Sequence, residues 1–72
     1  MATFTTITEH EIYSHALYWL LEMKEREEER DRRMIANCGR HSAISQARIK
    51  KFNSQISEMH DAILALEAKG EY

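Results

Sequence analysis

At 72 residues the chain has room for one small domain, 1–72, and none for a separate catalytic domain. Ten Lys and Arg stand against 12 Asp and Glu, with 43% hydrophobic and 31% charged residues, two Gly and no Pro, a balance that suits long helices, starves hairpin turns and excludes an all-β fold. No window nears the ~18 to 20 consecutive apolar residues of a membrane span, and one cysteine, Cys38, excludes an internal disulfide or a cysteine-based zinc cluster, so a soluble cytoplasmic protein without a secretory signal is expected.

Residues 1–6 carry no organised pattern and are expected to be frayed. Ile7-Thr8-Glu9-His10-Glu11-Ile12 reads as a helix start, in which Thr8 accepts from the Glu11 amide, Glu11 reaches back to the Thr8 amide, and Ile7 lies over Ile12. No breaker follows until Asn37-Cys38-Gly39, where Gly39 suits the left-handed position that closes a helix. The first helix is therefore expected over 9–38. A turn at 38–42 leads to Ser42 as the next N-cap, and a second helix runs to Ala68 or Lys69 before Gly70 stops it.

A single glycine costs a helix interior only ~1 kcal/mol, so one unbroken rod competes with a hairpin. The apolar phase decides between them. Ile49, Phe52, Ile56, Met59, Ile63 and Leu66 alternate spacings of three and four, and extending that frame backwards would place Asp31, Glu28 and Lys24 in the seam of a rod dimer, against their own copies. An antiparallel two-helix hairpin is expected, with all-α architecture.

At ~100° per residue the second helix's stripe covers about 100° of arc, whereas Ile12, Tyr13, Ala16, Leu17, Trp19, Leu20, Leu21 and Met23 sweep about 200° on the first. One fold-back neighbour cannot cover that width. Ordering 72 residues costs roughly 100 kcal/mol of conformational entropy, more than so few buried side chains offset. The hairpin is thus expected to assemble into a dimeric or higher helical bundle, joined through those eight positions.

The ten residues Lys24 to Arg33 are all charged, five of each sign, and include the one-turn pairs Glu28 with Arg32 and Glu29 with Arg33. A solvated surface is the simplest reading of such a run. Yet Glu27, Arg30 and Asp31 lie on the arc that is apolar before it, and Met34 and Cys38 resume that arc afterwards. Opposite the run, Ile49, Phe52 and Ile56 lack apolar partners, and arginine stems, another subunit or a foreign protein are the alternatives for covering them.

Between Asp31 and Glu58 there is no acidic residue, while Arg32, Arg33, Arg40, Arg48, Lys50 and Lys51 with His41 make the turn end basic. The far end is acidic through Glu9, Glu11, Glu22, Glu58, Asp61, Glu67 and Glu71. Exposed amides at the second helix's N-terminus near Ser42, Ala43 and Ile44 favour an anion there, so Arg33, Arg40, His41, Arg48, Lys50 and Lys51 are the candidate site for a nucleic acid or nucleotide. A net charge of −2 and no stacking aromatic other than Phe52 weigh against it.

Catalytic chemistry is poorly served. His10 and Glu11 begin a zinc-helix pattern, but Ser14 stands where the second histidine belongs and His15 falls one residue late. Cys38 near His41 sits in a turn that does not preorganise a nucleophile, and two glycines build no phosphate loop. No enzyme, metal or cofactor is expected. In build the chain resembles small two-helix accessory proteins of phages and plasmids, which act by binding a larger host protein, though no motif carries the likeness. The expected function is a noncatalytic oligomeric interaction module, acting as adaptor, inhibitor or assembly subunit, with itself and another protein as partners. Anion binding at the basic tip is the alternative.

Overall fold

The computed structural model describes residues 7–72, and two helices account for most of them: α1, Glu9–Cys38, and α2, Ala43–Ala68. The expected fraying of 1–6 lies outside the described residues.

Each helix end is set by local chemistry. Thr8 is extended and its hydroxyl accepts from the Glu11 amide at 3.2 Å, half of the anticipated capping box. Ile7 and Ile12 border one shallow recess with Glu11 and His15, as a hydrophobic staple requires. At the other end Gly39 sits at φ 72° and its N–H donates to the Ile35 carbonyl at 2.8 Å, the single-bond left-handed closure. Ser42 caps α2 by accepting from the Ser45 amide. Beyond Ala68, Gly70 at φ 77° donates to the Glu67 carbonyl while Glu71 donates to that of Leu66, which is a Schellman closure.

The helices fold back on each other as an antiparallel hairpin with a long axis of 52 Å. Three cross-helix bonds fix the register: His10 to Glu67 at the open end, Arg48 to Glu27, and Gln46 to Asp31 beside the turn. Paired positions therefore sum to about the same value along the whole contact, so Leu20 lies level with Ile56 and Glu27 with Ile49.

Leu20, Ile63 and Leu66 are the buried apolar residues among those described. They lie in the half of the hairpin nearer the open end. Toward the turn the buried positions are polar, namely Glu27, Asp31 and Ser45. Of the three positions expected to lack apolar partners opposite the charged run, Ile49 lies level with Glu27, whereas Ile56 lies level with Leu20 and Phe52 borders a recess with Trp19 and Leu20; part of the run is itself inside the contact. Among the described residues no helix is long and apolar enough to cross a membrane.

Candidate functional site

Two surfaces carry the residues that the sequence singles out: the polar turn end, and an apolar face along the hairpin's flank.

At the turn end, Asp31 occupies the last inward position of α1, and only 5% of it remains exposed. Its carboxylate reaches across the turn to the start of α2. Oδ1 accepts from the Ser42 amide at 2.7 Å; Oδ2 accepts from Gln46 Nε2 at 2.8 Å and from His41 Nδ1 at 2.7 Å. A carboxylate only accepts, so the ring nitrogen facing it carries the proton. The His41 bond, helped by the Ser42 amide and Gln46, holds the Asp31 carboxyl below the usual aspartate range, against the opposing effect of burial.

At the second helix's N-terminus, expected to favour an anion, the structure places one of the chain's own carboxylates. The positive end of α2 does hold an anion, but the anion is the chain's own Asp31. His41 is engaged in the same contact. Arg48 is drawn to Glu27 Oε1 at 3.2 Å, where Arg30 also donates at 2.9 Å. Arg33 approaches Glu29 at 3.6 Å, and Glu29 binds Arg32 more tightly, which lowers the Glu29 carboxyl and raises the Arg32 guanidinium from their ordinary values. Of the six basic-tip residues, Arg40, Lys50 and Lys51 are the exposed cations that form no ion pair among the described residues. The six are not brought together around one cavity.

Glu27 holds both arginines on one oxygen, leaving Oε2 buried without a partner among the described residues; Ser45 Oγ is in the same condition. Both arginine heads remain in solvent. Ile49, Phe52 and Ile56 are half-buried on the side of α2 that faces α1, so this ridge is partly covered within the chain. Phe52 also borders a recess with Trp19, Leu20, Arg48, Lys51 and Gln55.

That recess joins the second surface. An adjoining one is lined by Tyr13, Leu20, Gln55, Glu58, Met59 and Ala62, and the two share Leu20 and Gln55, making one shallow groove between the helices on one face of the hairpin. Ile12, Ala16, Trp19 and Met23 follow α1 along its edge at spacings of four, three and four, a coiled-coil stripe. Ile12 is 54% and Trp19 56% exposed, while Ala16 and Met23 are half-buried. On α2, Phe52, Gln55, Met59, Ala62 and Leu66 repeat the same spacing.

The eight positions assigned to an oligomer contact therefore divide. Leu20 is 7% exposed and already faces α2. Tyr13 and Leu17 are half-buried against the same helix. Leu21, 45% exposed, lies about 200° around the helix from Trp19, on the opposite flank. Ile12, Ala16, Trp19 and Met23 are the members that share an uncovered edge.

Sequence reasoning missed the capping role of Asp31 and the His10 to Glu67 bond of 2.9 Å at the open end. The available signal for Asp31 was its inward phase together with its short distance from Ser42. Among the described residues no group of three or more His, Cys, Asp or Glu side chains is placed to hold a metal ion. The chain matches no protein-family model, no curated protein and no solved structure.

Proposed function

We propose that this chain is a noncatalytic interaction module that works as a self-associated helical bundle, using the groove face as its docking surface. The supporting observation is the uncovered heptad stripe of α1, whose large members Ile12 and Trp19 stand more than half exposed beside an open apolar groove. Scattered apolar residues on a surface are ordinary, but a continuous stripe at coiled-coil spacing is what a helix presents to another helix. The small number of fully buried apolar side chains supports the same reading, because a hairpin of this size gains little from its own core.

Dimerisation is the simplest form of the assembly, giving a four-helix bundle. A further protein partner, as for an adaptor, inhibitor or assembly subunit, would meet what the bundle leaves free, including Leu21 and Leu64 on the opposite flank. Anion binding at the tip is the weaker reading, since Asp31 already occupies the α2 N-terminus and Glu27 competes for Arg48.

The lone tryptophan reports on the docking surface directly. Association shields the Trp19 indole, so its emission maximum should move to longer wavelength as the protein is diluted from tens of micromolar to nanomolar. An unchanging spectrum typical of a solvated indole across that range would remove the proposal.

A further inference from the structure

We infer that the groove face, where it runs on toward the turn, receives an α-helix of another protein whose contact side is apolar over part of its length and acidic over the rest. This rests on the face being a docking surface, as proposed above, and names the chemistry of the further protein.

The charged run is neutral as a string of residues, but helix phase sorts it. At about 100° per residue, Arg26, Arg30 and Arg33 fall within about 40° of Trp19, whereas Glu25, Glu27, Glu28, Glu29 and Asp31 lie about 80 to 180° from it. Glu27 and Asp31 turn in against α2 and are buried. The stripe Ile12, Ala16, Trp19, Met23 therefore continues as Arg26, Arg30, Arg33 with its spacing of four and three unbroken. From α2, Arg48 and Lys51 line the recess beside Trp19, and the register sets Lys51 level with Arg26.

These five cations are only loosely held by their own chain. Arg30 and Arg48 share a single Glu27 oxygen, and Arg33 stands 3.6 Å from a Glu29 that Arg32 binds more closely. Arg26 meets Glu22 in an exposed pair of the kind that contributes little. Lys51 forms no ion pair among the described residues. All four arginines keep more than half of their side chains in solvent.

The pattern selects the occupant. A nucleic acid would pair with the cations but leave Ile12 and Trp19 in water. A second copy covers the apolar part, yet among the residues lining the two recesses it offers one carboxylate, Glu58. A helix following the stripe over about three heptads, with Leu or Ile against Ile12 to Met23 and Glu or Asp against the arginines, satisfies both parts at once.

The test uses synthetic helical peptides of about three heptads, with Leu and Ile at the contact positions of one part and Glu at those of the other, made with the acidic part at either end. Versions with Lys replacing Glu, and a DNA duplex, are the comparisons. Fluorescence anisotropy of the labelled probe with the full chain should show one acidic peptide binding at least about tenfold more tightly than its Lys version, a preference that shrinks as salt rises. Arg26→Glu with Arg33→Glu, which leaves the buried Glu27 contacts intact, should reverse that preference, with circular dichroism confirming the helices. Equal binding of acidic and Lys peptides, no binding of either acidic peptide, or tighter binding of the duplex would overturn the inference. Mass measured in the same buffer without peptide reports self-association separately, so a dimer that ignores both acidic peptides removes this inference and leaves that reading standing.

Discussion

Trp19 is where the account is most exposed to test. Its 56% exposure within the hairpin leaves about 120 Å² of an indole surface that typically buries ~150 to 250 Å². At ~25 cal/mol per Å², covering that remainder in an assembly contributes about 3 kcal/mol per subunit, as an upper bound. Trp19→Ala removes nearly all of it from both sides of a two-fold contact. With ~1.4 kcal/mol for each factor of ten, the dissociation constant should rise by about two to four powers of ten. Sedimentation velocity over a concentration series measures this, with circular dichroism following the helix content lost as the bundle separates. Tyr18→Ala is the matched control: that ring is 77% exposed but points about 100° away from Trp19, off the stripe. If both substitutions weaken association equally, or neither does, the assignment of the docking face is wrong.

Other perturbations probe the hairpin itself. Asp31 has a carboxyl pKa lowered by folding, so its stabilising contribution is complete above the unfolded value of ~3.9 and is lost as pH falls through the lower folded value. Urea midpoints measured from pH 7 down to pH 2 should therefore fall on the acid side, and Asp31→Asn should flatten that limb; an unchanged acid limb would disconnect Asp31 from the turn. Glu27→Met replaces a buried carboxylate with one unbonded oxygen, while its arginine partners keep their heads in water, so stability should hold or rise by about 1 kcal/mol. Thermal melting at fixed protein concentration decides, and a clear loss would mean that the ion pairs outweigh desolvation. Gly39→Ala meets no atom within 4 Å but must hold φ 72°, so it should cost about 1 to 2 kcal/mol by chemical denaturation. A neutral result would mean that the left-handed closure is not retained.

The helix ends were legible because their causes are local. Thr8, Gly39, Ser42 and Gly70 each act within five residues of their own position, and a short segment contains all of that information. The choice of hairpin over rod was legible from phase, since Lys24, Glu28 and Asp31 would have fallen in a continuous seam. The polar turn end was less so. In a run of ten charged residues, Asp31 and Glu27 are distinguished from Glu25 and Glu29 only by their inward phase and by what α2 brings opposite them. That depends on the register of the whole hairpin, set partly by a bond as distant as His10 to Glu67.

The apolar face shows the same division between local and distant causes. Periodicity revealed that α1 has more apolar arc than one neighbour covers, but it could not separate Leu20, which α2 covers, from Trp19, which α2 leaves in solvent. In the α2 contribution to the groove, Met59 belongs to the stripe that periodicity shows, but Gln55 and Ala62 beside it were hidden because the stronger Ile49, Phe52, Ile56 and Ile63 pattern dominates that helix. The pairing of the basic tip was hidden for a related reason. A sequence displays its cations, but not which carboxylate will fold back onto them.

The central claim is that a hairpin with this face uncovered does not remain alone. Sedimentation equilibrium of the unmodified chain at micromolar concentration measures that directly. The account predicts a well-folded helical species of twice the 8.5 kDa chain mass, dissociating on dilution with loss of helix. A stable, fully helical species of 8.5 kDa at every concentration would contradict it.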